Sequence, residues 1–364
     1  MRVLHAAETI KGGVATVLRQ LAKSQIADIG QDKICCLVPA DQVSELYGVD
    51  SRSIKPFPRL GRGIRGFLQF FFIFTRVVLK HRPEVVHLHS SFAGALGRLS
   101  LILLWPIYRP KVIYCPHAFA FMMTVSRFKS RLYTVIEKTL LPVTDVVICV
   151  SHCEKKMAVD AGLNENKLVV VHNGVPSNKN YVKKVNSPEG NELIQLLFVG
   201  RFDYQKGFDI LSKAMHQLEG KAFHLTVVGD FVLENENDNI QDLPQTTYAG
   251  WLSAEQLAPH FCRADVLLIP SRWEGFAMVP LEAMSYGLPI LASNCSSFPE
   301  VVEDHINGRL FSPEQTEELC HILESTSREE WQRMGNAAIE TFSKKFTADK
   351  MIEATKKVYL DLGA

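Results

Sequence analysis

Glu274 and Glu282 stand eight positions apart in the stretch SRWEGFAMVPLE, which directly follows the apolar run ADVLLIP at residues 264–270. The run reads as a buried strand, and residues 278–286 carry a helical pattern stopped by Gly287 and Pro289. Glu274 therefore falls in a strand-to-helix loop, where Gly275 lets the backbone approach a ligand with free N–H groups. Glu282 lies about one turn into the helix, its side chain aimed back toward the helix start. Two carboxylates then face one crevice at the carboxyl end of a strand, the usual place for a ligand in an open α/β sheet. Singly, each has an ordinary reading, as a solvated helix residue or as a charge that favours a helix N-terminus.

A second constellation is Gly200-Arg201-Phe202-Asp203-Tyr204-Gln205-Lys206-Gly207, between a strand at 192–200 and a helix running through Leu218. Arg201 and Lys206 beside glycines at a helix start can bind phosphate by charge plus backbone donors. A third is Gly12-Gly13, between a first strand at 1–7 and a helix at 14–27. It suits an anion or close ligand approach, although most glycine pairs are only turns, and it lacks the spacing of a dinucleotide fingerprint. His117 follows a strand at 111–116 and so faces a crevice. An ordinary hydrogen-bonded histidine is the bland reading there, and it is the one given to His87 and His89.

The pattern E-G-F-x-x-x-x-x-E from Glu274 to Glu282, continuing A-x-x-x-G-x-P-I-L-A-S to Ser293, resembles the signature of retaining glycosyltransferases of family 4. G-R-x-x-x-x-K-G from Gly200 to Gly207 resembles that family's diphosphate-binding element, and Asn173-Gly174-Val175 its turn before the interdomain linker. The resemblance implies an α/β GT-B fold: two Rossmann-like, doubly wound domains facing across a cleft. It implies that Glu274 contacts hydroxyls of the transferred sugar, with backbone N–H groups of Gly275, Phe276 and Ala277 helping to orient it. Glu282 would hold the ribose, Trp251 would lie in the loop beside the nucleobase, and Gly12 and Gly13 would lie between acceptor and donor phosphates. His117 matches the family's active-site histidine. Arg201 and Lys206 would neutralise the diphosphate as the glycosidic bond breaks, so no metal and no other cofactor is expected.

The elements that must position these groups fit two domains, since 364 residues exceed one ordinary core. The expected division is 1–176 for an acceptor-binding domain, 177–191 for a polar, turn-rich linker, and 192–345 for a nucleotide-sugar domain. Residues 346–364 are expected to form a helix that returns to the first domain.

Hydrophobic residues make up 47% and charged residues 22%, the balance of a globular protein, and the net charge is only +1. The charge is uneven. Between Ser51 and Ile136 fourteen Lys/Arg accompany a single acid, Glu84, a local +13 that leaves the rest at −12. Arg59, Arg62, Arg65, Arg76 and Lys80 flank a phenylalanine-rich helix, and Arg127, Lys129 and Arg131 add to the same basic face. Phe71, Phe74 and Val78 are expected to pack inward. Aromatics spilling round the helix with no accompanying acid favour a face resting on anionic lipid. The aromatics lack the spaced stacking pattern of a nucleic-acid groove. No run reaches the ~18 apolar residues of a membrane span. The expected location is cytoplasmic and peripheral, on the inner face of the cell membrane. The eight cysteines contain no CxxC pair, and nothing completes four ligands around Cys149 and Cys153.

The expected activity is retaining transfer of a hexose or N-acetylhexosamine from a UDP- or GDP-sugar to a lipid-linked glycan, in surface polysaccharide or O-antigen assembly. Two rival readings share the architecture, a sugar-nucleotide 2-epimerase and a non-catalytic nucleotide-sugar-binding protein. The Glu274/Glu282 spacing speaks against the first, and the intact motif against the second.

Overall fold

The computed structural model describes residues 1–59, 61, 63–123, 126–177, 193–230 and 243–363. Arg62 and most of the expected linker lie outside the described residues. The chain divides into two compact units, Met1–Val175 with Ala348–Ala364, and Pro176–Thr347.

The first unit is built from β1 (Val3–Ala7), α1 (Gly13–Ile29), β2 (Ile34–Pro39), β3 (Ile54–Phe57), α2 (Ile64–His81), β4 (Val85–His89), α3 (Ser91–Leu104), β5 (Lys111–Cys115), α4 (Arg127–Leu140), β6 (Val146–Cys149), α5 (His152–Asp160) and β7 (Leu168–Val170). The second holds β8 (Ile194–Val199), α6 (Phe208–Gln217), β9 (Phe223–Val228), β10 (Thr246–Gly250), α7 (Ala254–Arg263), β11 (Val266–Ile269), α8 (Met278–Ser285), β12 (Ile290–Ser293), α9 (Phe298–Val301), β13 (Gly308–Phe311), α10 (Thr316–Ser325) and α11 (Arg328–Lys345). The last helix, α12 (Ala348–Asp361), belongs to the first unit.

Both sheets are parallel throughout. Their strand orders are β3-β2-β1-β4-β5-β6-β7 and β10-β9-β8-β11-β12-β13. Near-continuous apolar strands such as VLLI in β11 suit a sheet covered on both faces, which parallel βαβ crossovers require. In each sheet the order reverses once, between β1 and β4 and between β8 and β11. Ligands of such sheets bind outside the carboxyl ends of the strands at that reversal. The loops after those four strands contain Gly12, Ser90, Gly200–Gly207 and Glu274.

In α2 the inward stripe is Phe70, Phe74 and Val78, at intervals of four, and not Phe71. Phe70 meets Phe57 of β3 edge-on at 5.5 Å between ring centroids. The sequence pattern had not separated this short β3 from the basic stretch around it. One of the fourteen cations behind the local +13 does not belong to an exposed face. Arg98 of α3 is fully buried, and its Nη2 donates to Glu137 Oε2 at 2.7 Å, an acid one residue beyond the counted window.

Helix α12 is sewn onto the first unit. Ala348 N–H donates to Val175 O at 2.8 Å, and Lys356 pairs with Asp28 of α1 at 3.0 Å.

Candidate functional site

In the second unit the two expected motifs meet at the strand reversal. Lys206 Nζ donates to Glu274 Oε1 at 2.5 Å, with both side chains largely shielded from solvent. The loops are tied by backbone as well. Arg272 N–H donates to Gln205 O at 2.8 Å, and Gln205 Nε2 donates to Trp273 O at 3.1 Å. Arg201 Nη2 reaches Gln205 Oε1 at 2.9 Å and Asp203 Oδ2 at 3.0 Å. Below this layer the Arg272 guanidinium lies 3.7 Å over the Tyr204 ring and makes a two-pronged contact with Asp209 at 2.7 and 2.8 Å. The cations and the acid are thus fixed before any ligand arrives, the condition for preorganised electrostatic stabilisation.

Two glycines make this approach sterically possible. Gly207 has φ +68° and precedes α6; a Cβ there would lie 2.0 Å from Pro270 O at the end of β11. Gly229 has φ +138°, and its Cβ would fall 1.9 Å from Gly200 O. No L side chain fits either position, so the α6 N-terminus can crowd the end of β11, and the end of β9 the β8 loop, only with glycine. Glu282 is on α8, and Gly275, Phe276 and Ala277 form the turn that enters it, with the Phe276 ring 5.8 Å from Phe346. Trp251 follows β10 and is 60% exposed.

In the first unit a histidine ladder occupies the reversal. His5 of β1 is in register with His87 of β4, and alternation along β4 puts His89 on the same face. His5 Nε2 is 2.7 Å from Gln25 Oε1, His5 Nδ1 is 3.0 Å from His89 Nε2, and His89 Nδ1 is 3.1 Å from His117 Nε2. Tyr359 of α12 bonds His87 Nδ1 at 2.8 Å. His87 and His89 lie face to face, 4.2 Å between centroids and 25° between planes. Their in-plane lone pairs therefore run side by side, and do not converge on one ion at the ~2.0–2.1 Å a zinc–nitrogen bond needs.

His117 and Ala118 both have positive φ, 54° and 101°, an unusual pair for residues with a Cβ. The buried carboxylate of Glu154, in the first turn of α5, holds them. It accepts from Ala118 N at 2.9 Å and Val150 N at 2.6 Å. Burial raises the Glu154 carboxyl to about 7 against these favourable hydrogen bonds.

The family described as Glycosyltransferase Family 4 matches residues 11–179, and Glycosyl transferases group 1 matches 177–341. A 41.2 kDa protein of uncharacterised function from the cps region of Klebsiella pneumoniae is 37% identical over 99% of both chains. The chain belongs to glycosyltransferase family 4. An Escherichia coli UDP-Gal:alpha-D-GlcNAc-diphosphoundecaprenol alpha-1,3-galactosyltransferase is 25% identical to it over 79% of this chain and 78% of its own. Anabaena HepE, solved in complex with UDP-glucose, shares the fold with TM-score 0.80 at 18% identity, each chain covered to 99%.

This glycosyltransferase brings together Lys206 and Glu274, with Arg201 close by on the same loop. Of the expected basic face, Arg65, Arg76, Lys80, Arg127, Lys129 and Arg131 are exposed. Arg59 is instead drawn to the buried Glu8 at the end of the first strand, at 3.1 Å. His5, Gln25, Glu8, Glu154 and Tyr359 were not singled out by the sequence. The one available signal was the H-x-H alternation in β4, which puts both rings on a single face.

The ladder also sets a pH response of the glycosyltransferase. Burial lowers His5 and His117 from 6.5 to about 4, and His87 and His89 well below 6.5. The unfolded chain then binds more protons than the folded one between pH 6.5 and 4. Stability from these groups is full above 6.5 and is lost as pH falls toward 4, by up to about 1.4 kcal/mol per pH unit for each histidine. Glu154 acts oppositely, its raised pKa removing stability as pH rises from 4.5 to about 7. Four groups outweigh one. Thermal melting followed from pH 7 to 4.5 is expected to show a steep fall for the first unit, and a flat profile would contradict the buried neutral ladder.

Proposed function

We propose that the chain is a retaining, metal-independent enzyme that transfers a hexose or N-acetylhexosamine from a UDP- or GDP-sugar to a lipid-linked diphosphate glycan, in surface polysaccharide assembly. The observation that carries the reading is the Lys206–Glu274 pair at the strand reversal of the second sheet. The diphosphate takes the charge of Lys206 and Arg201 together with the α6 N-terminus, and Glu274 then accepts from sugar hydroxyls. The bond from the anomeric carbon to the diphosphate oxygen breaks, and an acceptor hydroxyl bonds that carbon on the same face. The hydroxyl proton leaves with the nucleoside diphosphate. Glu282 holds the ribose, Trp251 flanks the base, and His117 is a ligand-facing group of the first unit. The E. coli relative named for a diphosphoundecaprenol acceptor supports the lipid-linked class, and HepE with UDP-glucose supports the donor class.

The first unit supports a membrane-facing role. Helix α2 packs on α3, and α3 on α4. Their outer faces expose Ile64, Phe72, Leu103, Phe128 and Val135 between 58% and 78%. Those apolar groups alternate with Arg65, Arg76, Lys80 and Arg127–Arg131, the composition of a surface that dips into anionic headgroups. Among the described residues no helix is long and apolar enough to cross a membrane. The test has two arms. A panel of UDP- and GDP-sugars should yield one donor that raises stability by about 2.7 kcal/mol at a hundredfold excess over its Kd. Transfer to a polyprenyl-diphosphate glycan should follow in vesicles containing anionic lipid, with weaker sedimentation on neutral ones. Isomerisation of the donor without transfer, or no response to any donor, would reject the reading.

A further inference from the structure

The ladder of the first unit is one connected hydrogen-bond path, and its proton positions can be worked out from its far end. Gln25 presents its amide oxygen to His5 Nε2 at 2.7 Å and also bonds the Tyr359 hydroxyl, for which its NH2 remains. An amide oxygen only accepts, so His5 carries its proton on Nε2. Neutral His5 then offers a lone pair at Nδ1, and His89 Nε2 must donate to it across 3.0 Å. His89 Nδ1 is left as an acceptor, and His117 Nε2 donates to it across 3.1 Å. Each step is forced by the one before. All three rings adopt the Nε2–H form, the one a free imidazole side chain prefers. The backbone is fixed independently, since Glu154 accepts the Ala118 N–H next to His117.

We infer that Gln25, His5 and His89 are positioning residues that lock His117 in its Nε2–H tautomer and present its Nδ1 as a hydrogen-bond acceptor, so that the group recognised there is a hydroxyl and not a phosphate. Among the described residues His117 Nδ1 makes no hydrogen bond, and the ring is half-buried. An imidazole with a bare lone pair attracts a hydroxyl proton and repels a phosphate oxygen. A phosphate ligand would need the ring doubly protonated, which burial opposes by lowering His117 to about 4. The inference rests on the reading that His117 faces the ligand, but the tautomer can be tested without that reading.

The experiment is long-range ¹⁵N–¹H correlation spectroscopy on the full chain labelled with ¹⁵N-histidine, with the His117→Gln variant assigning the signals. The expected result is a protonated Nε2 and a bare Nδ1 at His117 at neutral pH, unchanged on addition of inorganic phosphate. A proton on Nδ1, a mixture of tautomers, or double protonation with phosphate overturns the inference. His89→Phe keeps the bulk of the ring but removes the acceptor, and should release His117 into exchanging tautomers. His89→Asn places a side-chain acceptor near the lost Nδ1 and should restore the single form. If His89→Phe does not fold, Gln25→Met interrupts the path from its half-buried end and should give the same loss of order. Equal tautomer spectra in wild type and in either folded variant would overturn the assignment. Full transfer activity in His117→Ala would remove the ligand-facing role of His117, yet leave the measured tautomer standing, so the two failures are distinguishable.

Discussion

Glu274→Ala is expected to reduce sugar transfer by about 10²–10³-fold in kcat, with the far-UV spectrum and the melting of the first unit unchanged. The reasoning is electrostatic. Glu274 is 10% exposed at its side chain and forms the ion pair that fixes Lys206 at 2.5 Å. Without it, Lys206 is free to swing, and any sugar hydroxyl loses its acceptor. Glu274→Gln separates these two jobs. It keeps a hydrogen-bonding oxygen for Lys206 but removes the charge, so its loss should be intermediate and fall mainly on kcat. Lys206→Ala should weaken nucleotide binding and also lower kcat, because the charge it offers the diphosphate counts most as the glycosidic bond breaks. Steady-state kinetics on the three variants checks the order. Near-normal turnover in Glu274→Ala would mean that the pair is only a structural clasp between two loops.

Glu137→Ala should be the most destabilising single change in the first unit, by about 3–5 kcal/mol. Arg98 is fully buried; its Nε donates to Gly94 O at 2.8 Å, and its guanidinium lies 4.1 Å over the Tyr114 ring. Tyr114 in turn donates its hydroxyl to Glu137 Oε1 at 2.9 Å. Removing the carboxylate takes the only charge partner among the described residues from a fully buried guanidinium and an acceptor from the Tyr114 phenol, leaving Arg98 only the Gly94 carbonyl. Calorimetry should register a drop on the order of 10 °C in the first unit's transition. The double replacement Arg98→Met with Glu137→Met should recover most of that loss, since matched apolar groups avoid the desolvation penalty. A drop below about 1 kcal/mol in the single variant would place the pair among solvent-screened surface bridges.

The chemistry of the second unit was legible because its signals are local. Arg201 and Lys206 lie in one strand-to-helix loop, Glu274 in another, and alternating parallel units bring such loops to the same sheet end. What the sequence could not give was the direct partnership of Lys206 with Glu274, 68 positions apart, which depends on β8 and β11 being neighbours at the reversal. The same limit applies more strongly to the histidine ladder. His5, Gln25, His89, His117 and Tyr359 come from two helices, two strands and a loop, and no spacing rule joins them. Arg98 shows a subtler failure. Its charge was counted with the surface cations because a composition window cannot see burial, and its acid lay just past the edge. In α2 the shift from Phe71 to Phe70 is a difference of 100° around the helix, settled by β3, a strand too short to stand out in a proline- and arginine-rich stretch.

Helix α12 gives the first unit a dependence on the order of synthesis. Residues 1–175 emerge long before Ala348, yet the phenol that bonds His87 and the backbone N–H that bonds Val175 O arrive only with the final stretch. Until then one edge of α1 has no covering helix, and Gln25 lacks Tyr359. The earlier half therefore waits on the ribosome with the α12-facing side of α1, Leu21 and Ile29 among it, uncovered while the whole second unit is made, the kind of transiently exposed surface that chaperones shield.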